Sequence, residues 1–178
     1  MMRFPSIRSI IIRYALLLAI GLIFLFNYSL LYKILSPLTS YPSYFILNLF
    51  YNASLAGNEI IINDISIILI PACLGLSAYL LFLILNLTTP TSLENHLKVL
   101  LFAFISFFIL NIIRIIIFSI FFIEGFAFFN FTHLLFWYLG STLLVVIIWF
   151  ASIRIFKIKS VPVYTDIKFI ISKISLGE

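Results

Sequence analysis

Charges are missing from long stretches of this chain, and that limits its fold more than any other feature. Uncharged runs of 19, 25, 29, 15 and 29 residues cover 14–32, 34–58, 65–93, 99–113 and 125–153. A helix needs about 20 predominantly apolar residues to cross a bilayer. The 178 residues are 64% hydrophobic, with only 11 basic and 6 acidic side chains, too few to solvate a globule of this size. The chain reads as an all-α polytopic membrane protein, a single membrane-embedded domain over 1–178.

Four spans are expected, over 14–35, 72–87, 97–123 and 133–156, followed by a cytoplasmic tail at 157–178. The basic N-terminus followed by an apolar run resembles a signal peptide. The run is too long, however, and lacks a small-residue cleavage site, so it reads as an uncleaved first span. Pro37, Thr39, Ser40, Pro42, Asn48 and Asn52 then interrupt the apolar pattern. Within that stretch, 43–56 sets Asn48 and Asn52 on one face among Phe45, Ile46, Leu49 and Phe50, the pattern of a helix lying in the outer interface. Residues 59–70 hold β-branched runs on either side of Asn63-Asp64 and read as a short β-hairpin before the second span. The 166–174 portion of the tail fits a surface helix or a strand equally well.

Charge gives the expected orientation. With the N-terminus in the cytoplasm, Arg3, Arg8, Arg13, Lys98, Arg154, Lys157, Lys159, Lys168 and Lys173 are inside. Only Lys33 falls outside, and Arg114 lies within the membrane. Both termini are therefore expected in the cytoplasm of a multi-pass plasma-membrane protein. The net charge of +5 belongs to these flanks, so no nucleic-acid partner is expected. A single cysteine excludes an intramolecular disulfide and a cysteine metal cluster, and His96 and His133 show no ligand spacing. No metal and no cofactor is expected. His96, in a cytoplasmic loop with Glu94 and Lys98, reads as solvated.

This topology directs three reactive side chains to the outer leaflet boundary: Cys73 at the outer end of span two, Arg114 on span three, and His133 at the head of span four. A lone cysteine is usually an inert small hydrophobe. Cys73 follows Pro71, however, which is favoured in the first turn of a helix, where the dipole and unpaired amides promote thiolate and receive an oxyanion. Gly75 removes bulk where a substrate backbone would approach. Arg114 costs about 2.5–3.5 kcal/mol within a span, which points to function by default, although a structural arginine bonded to carbonyls is the plain alternative. Asn111, three residues earlier on the same helix face, is placed to orient the guanidinium. His133, as a neighbour of the thiol, can take its proton and later return one to a leaving amine, while a histidine at the head of a span is as readily structural.

Ala72-Cys73-Leu74-Gly75-Leu76, then Asn111-Ile-Ile-Arg114-Ile115, then His133 resemble the signature of the exosortase/archaeosortase family. That signature is a Cys-x-Gly element, an Asn-x-x-Arg element and a downstream histidine on successive spans. The likeness covers about 59–150 and leans towards a compact, archaeal-type member. It implies a membrane-embedded cysteine protease or transpeptidase with Cys73, Arg114 and His133 as catalytic residues, supported by Gly75 and Asn111. The implied substrate is an exported protein with a C-terminal short motif, one span and a basic tail, cleaved at the outer face. Water, a lipid amine or a glycan would accept the product. Leu74 stands where a small polar residue is frequent, and the chain has fewer spans than full-length members. The competing readings are a non-enzymatic membrane scaffold or assembly subunit, in which Arg114 pairs with Glu124 or a partner's carboxylate, and, behind it, a transporter subunit.

Overall fold

A computed structural model of the chain describes residues 7–158 together with Ile167 and Ile171. The tail segment 166–174 and Arg3 otherwise lie outside the described residues. The fold is predominantly helical: α1 (Ile7–Phe26), α2 (Tyr28–Asn48), strands β1 (Ala53–Ala56), β2 (Glu59–Ile62) and β3 (Ile65–Ile68), then α3 (Pro71–Leu74), α4 (Leu76–Leu87), α5 (Leu93–Ile123), α6 (Phe129–Leu135) and α7 (Ser141–Ile155). A π-helical segment, Phe136–Gly140, joins α6 to α7. Two continuous helices, α5 at 31 residues and Phe129–Ile155 at 27, are long and apolar enough to cross a membrane. The bent α1–α2 pair makes up to a third. At 1.5 Å per residue, α5 runs about 46 Å, whereas α4 runs only about 18 Å against a hydrocarbon core of about 30 Å.

The outside of the molecule is apolar and much of its polar inventory is inside. Leu97, Leu101, Ile105 and Ile109 lie exposed along α5 at four-residue spacing, while Val99, Ala103, Phe107 and Asn111 on the opposite face are buried. Buried polar residues include Ser36, Thr39, Ser40, Ser43, Asn86, Asn111 and Ser152. This polarity is consistent with a membrane protein, in which backbone groups are satisfied internally and small polar residues let helices approach.

The N-terminal half departs from expectation. The first helix stops at Phe26, not at residue 35, and turns by 76° around Asn27 into α2. Asn27 Nδ2 donates to the Ile23 carbonyl at 3.0 Å, the same oxygen that accepts the Asn27 amide at 2.9 Å, so the residue caps the end of α1 with both of its donors. Helix α2 then runs through Pro37 and Pro42. Proline removes a ladder donor but does not stop a helix held by its neighbours, and the hydroxyl of Ser43 bonds back to the Thr39 carbonyl at 2.8 Å. The hydroxyl residues that interrupt the apolar pattern are a buried face of α2, which packs on α5, α3 and β1. The expected interfacial helix over 43–56 is likewise replaced: 43–48 closes α2, and 53–56 is a strand.

The hairpin is observed, enlarged by that strand. The sheet has the antiparallel order β1-β2-β3, with Ile62 opposite Ile65 across Asn63-Asp64. Both turn residues have positive φ, 48° and 65°, as a two-residue primed turn requires. Gly57, at φ 64°, makes the other turn. Two buried clusters result. Ala78, Phe82, Ala103, Phe107, Val145 and Ile148 join α4, α5 and α7. Leu47, Ile60, Ile62, Leu69 and Ile115 join α2, the sheet and α5, with Cys73 packed at the margin.

Helix ends are set locally. At the start of α5 the Ser92 hydroxyl accepts from the Asn95 amide. At its end Gly125, at φ 63°, lets the Phe126 and Gly125 amides return to the Phe121 and Phe122 carbonyls, a Schellman motif. That tight stop starts the next helix at Phe129, four residues earlier than expected. His133 therefore lies one turn inside it and not at its head.

Candidate active site

Cys73 sits in the single turn α3, opened by Pro71 at its first position and closed by Gly75 in the left-handed conformation (φ 68°). Span two is thus divided at Gly75, and two expectations change with it. The thiol does not sit on the N-terminus of a long helix, because a four-residue turn has almost no macrodipole, and the Cys73 amide already donates to the Ile70 carbonyl at 2.8 Å. Gly75 does not open room for a substrate either. A Cβ there would lie 2.5 Å from a ring carbon of Phe107, so glycine serves the left-handed turn and the close packing of that ring.

Helix α5 supplies the polar groups. Asn111 Nδ2 donates to the Cys73 carbonyl at 2.9 Å, and Arg114 Nη2 donates to the same oxygen at 3.2 Å. The expected Asn111–guanidinium contact is replaced by convergence of both side chains on one carbonyl. Arg114 Nη1 donates to the Ser141 hydroxyl at 2.6 Å. Two of the guanidinium donors are thereby engaged and the others are left to the site. Asn111 is 2% exposed, and its Oδ1 has no partner among the described residues.

Ser141 was not anticipated from the sequence. Its hydroxyl donates to the Phe136 carbonyl at 3.3 Å and receives Arg114. The wider π segment ahead of it changes the helical register, and such segments recur at functional sites. Gly140 belongs to the same device: a Cβ there would come within 2.7 Å of the Phe136 ring. Its trace in the sequence is Gly140-Ser141-Thr142, one polar break within span four.

His133 is half-buried among rings. It stacks on Phe129 with centroids 5.4 Å apart and planes at 7°, and meets Phe118 edge-on at 5.3 Å. It makes no hydrogen bond to Cys73. Glu124, the alternative partner considered for Arg114, accepts instead from the Tyr51 hydroxyl at 2.8 Å.

Cys73, Arg114 and His133 all line one cavity of about 270 Å³, walled otherwise by apolar side chains of α5 and α6 and by β3. The three elements meet because α3 and α6 both pack on α5. A thiol, a cation with open donors and an imidazole around one apolar space can in principle attack, stabilise and shuttle a proton. His96 is elsewhere, half-buried at the far end of α5 with its ring against Asn86. It is not the solvated loop residue expected. Set beside known protein families, curated proteins and solved structures, the chain matches none.

Proposed function

We propose that the chain is a membrane-embedded cysteine peptidase or transpeptidase of exosortase/archaeosortase type. It would process C-terminal sorting signals of exported proteins at the outer face of the plasma membrane. One observation carries this reading: Cys73, Arg114 and His133, far apart in sequence, line a single cavity. In this reading the bent α1–α2 pair, α3–α4, α5 and α6–α7 are the four crossings. The excess of basic residues at the inner ends keeps both termini cytoplasmic.

His133 takes the Cys73 thiol proton as Sγ attacks the substrate carbonyl carbon. The open Arg114 donors receive the developing oxyanion. Collapse breaks the C–N bond, and His133 returns the proton to the departing amine, which leaves with the substrate's C-terminal span. The acyl group stays on sulfur as a thioester until water, a lipid amine or a glycan hydroxyl takes it. Attack needs His133 to close on the thiol, and catalytic hydrogen bonds commonly tighten only with substrate bound. The scaffold reading pairs Arg114 with Glu124 or with a partner's carboxylate, and of these Glu124 is bonded to Tyr51.

The test is co-expression with an exported protein ending in a short motif, an apolar span and a basic tail. The wild-type chain should shorten it and pass through a hydroxylamine-labile adduct. Cys73→Ala and Cys73→Ser, at equal abundance, should leave the precursor intact. Processing by Cys73→Ala at the wild-type rate would overturn the assignment in favour of a scaffold.

A further inference from the structure

The sheet has an edge that the proposed chemistry does not use. Strand β3 is the outer strand of the order β1-β2-β3, and Ser66, Ile67 and Ile68 line the same cavity as Cys73. Antiparallel residues alternate between pairs that exchange main-chain hydrogen bonds and pairs that do not. The Leu69 amide donates to the Asn58 carbonyl at 3.0 Å, so Leu69 faces β2, and by alternation Ile67 and Ile65 do the same. Ser66 and Ile68 therefore turn their amides and carbonyls away from β2, towards the open edge. Their side chains are exposed, Ile68 at 61%.

An open edge is a template for another strand and is rarely left bare. A lipid tail offers no donors or acceptors to pair with it. An extended polypeptide offers both, at the spacing of one pair every second residue. The chain leaves β3 through Leu69-Ile70-Pro71-Ala72 and reaches Cys73 five residues after Ile68, with Leu69, Ile70 and Ala72 on the cavity wall.

We propose that β3 is the substrate-docking strand. The exported protein adds an extended segment, just ahead of its C-terminal span, to the Ser66–Ile68 edge, and the edge delivers that segment to Cys73. The occupant, though not the open edge itself, rests on the peptidase reading. Main-chain pairing would give affinity with little sequence selection, leaving selection to the apolar pocket between Phe118, Phe129 and Trp137.

The test does not need cleavage. In a Cys73→Ala background, Ser66→Cys is the only thiol of the full-length chain. It is co-expressed with the exported protein carrying single cysteines across the eight residues before its span. Disulfides at alternate positions of that scan are expected, the period of a paired strand. A period of three or four, or no cross-link, overturns the proposal. So does a disulfide-linked dimer of the Ser66→Cys chain, which would assign the edge to a second copy. The active chain gives a second readout. Ser66→Pro removes an outward amide at a position where an edge strand tolerates proline, and about a tenfold loss of product is expected. Alkylation of Cys73 by a small apolar maleimide should be unchanged. Unchanged product formation by Ser66→Pro also overturns the proposal. Cross-links at alternate positions without cleavage by the wild type would keep the docking edge and remove the peptidase reading. Cleavage without them would do the reverse.

Discussion

The α4–α5 pair carries a polar cluster at each end, and the two are built on opposite principles. At one end, Asn86 closes on His96: its Nδ2 donates to the His96 carbonyl at 2.8 Å, and its Oδ1 meets the His96 ring. Thr88 and Thr89 bond back to carbonyls of α4 at 2.8 Å and 2.6 Å. Their polar groups are turned inward on the helix pair, as in a structural joint. At the other end, Asn111 and Arg114 converge on the Cys73 carbonyl beside a cavity, and the guanidinium has donors to spare. Buried polarity by itself does not mark a site. A cluster with bonds still to make, facing a half-open cavity, is the better candidate.

The sharpest way to break this contrast is Arg114→Lys. Lysine keeps the charge but has no planar fork, so it cannot hold Ser141, the Cys73 carbonyl and an incoming oxyanion together. Insertion and abundance should match wild type, with processing down by about a hundredfold or more, the usual scale for a lost oxyanion donor. Equal turnover would reduce Arg114 to a generic charge and erase the distinction between the two ends.

A smaller effect is expected at Ser141, which touches the site only through Arg114. Ser141→Ala removes the acceptor of the 2.6 Å bond while Nη2 stays on the Cys73 carbonyl. Product formation should fall by about tenfold, the equivalent of one charge-assisted hydrogen bond. Ser141→Thr, which keeps the hydroxyl, should recover most of it. If Ala and Thr behave alike, the bond contributes nothing to alignment.

What the sequence disclosed about this end, and what it hid, follows from the kind of signal each feature leaves. Cysteine, arginine and histidine stand out in an apolar chain because each is chemically costly or reactive there, and the fold brings the three to one cavity. The Asn63-Asp64 turn was legible because β-branched runs flank two residues that accept positive φ. Ser141 was not, because helical periodicity assumes 3.6 residues per turn and the π segment breaks it. The bend at Asn27 leaves only one polar residue as its trace. Gly75 was read for space, whereas its left-handed φ and the Phe107 ring against it are consequences of packing that a single sequence does not display. Pro37 and Pro42 misled in the other direction, since their usual meaning is a stop, and tertiary contacts on α2 override it.

The smallest effect on activity, and the best control, belongs to the opposite end. Asn86 is 1% exposed and makes both of its contacts to His96. Asn86→Ala would leave a carbonyl and a half-buried imidazole without their partner, a cost of about 1–3 kcal/mol. Phe82, Phe107 and Val145 separate this joint from the cavity as one packed cluster. A local loss at Asn86 therefore loosens the α4–α5 turn without moving Cys73 relative to Arg114. The variant should unfold at lower temperature in detergent, yet process substrate at the wild-type rate per folded molecule. Asn86→Asp tests the same joint from another side. It keeps the acceptor for the ring but sets a carboxylate oxygen against the His96 carbonyl in a buried place, so its stability should fall at least as far as that of Asn86→Ala. If either variant slows processing as much as Ser141→Ala does, the two ends are coupled through α5. The far joint would then belong to the catalytic machinery and not only to the fold.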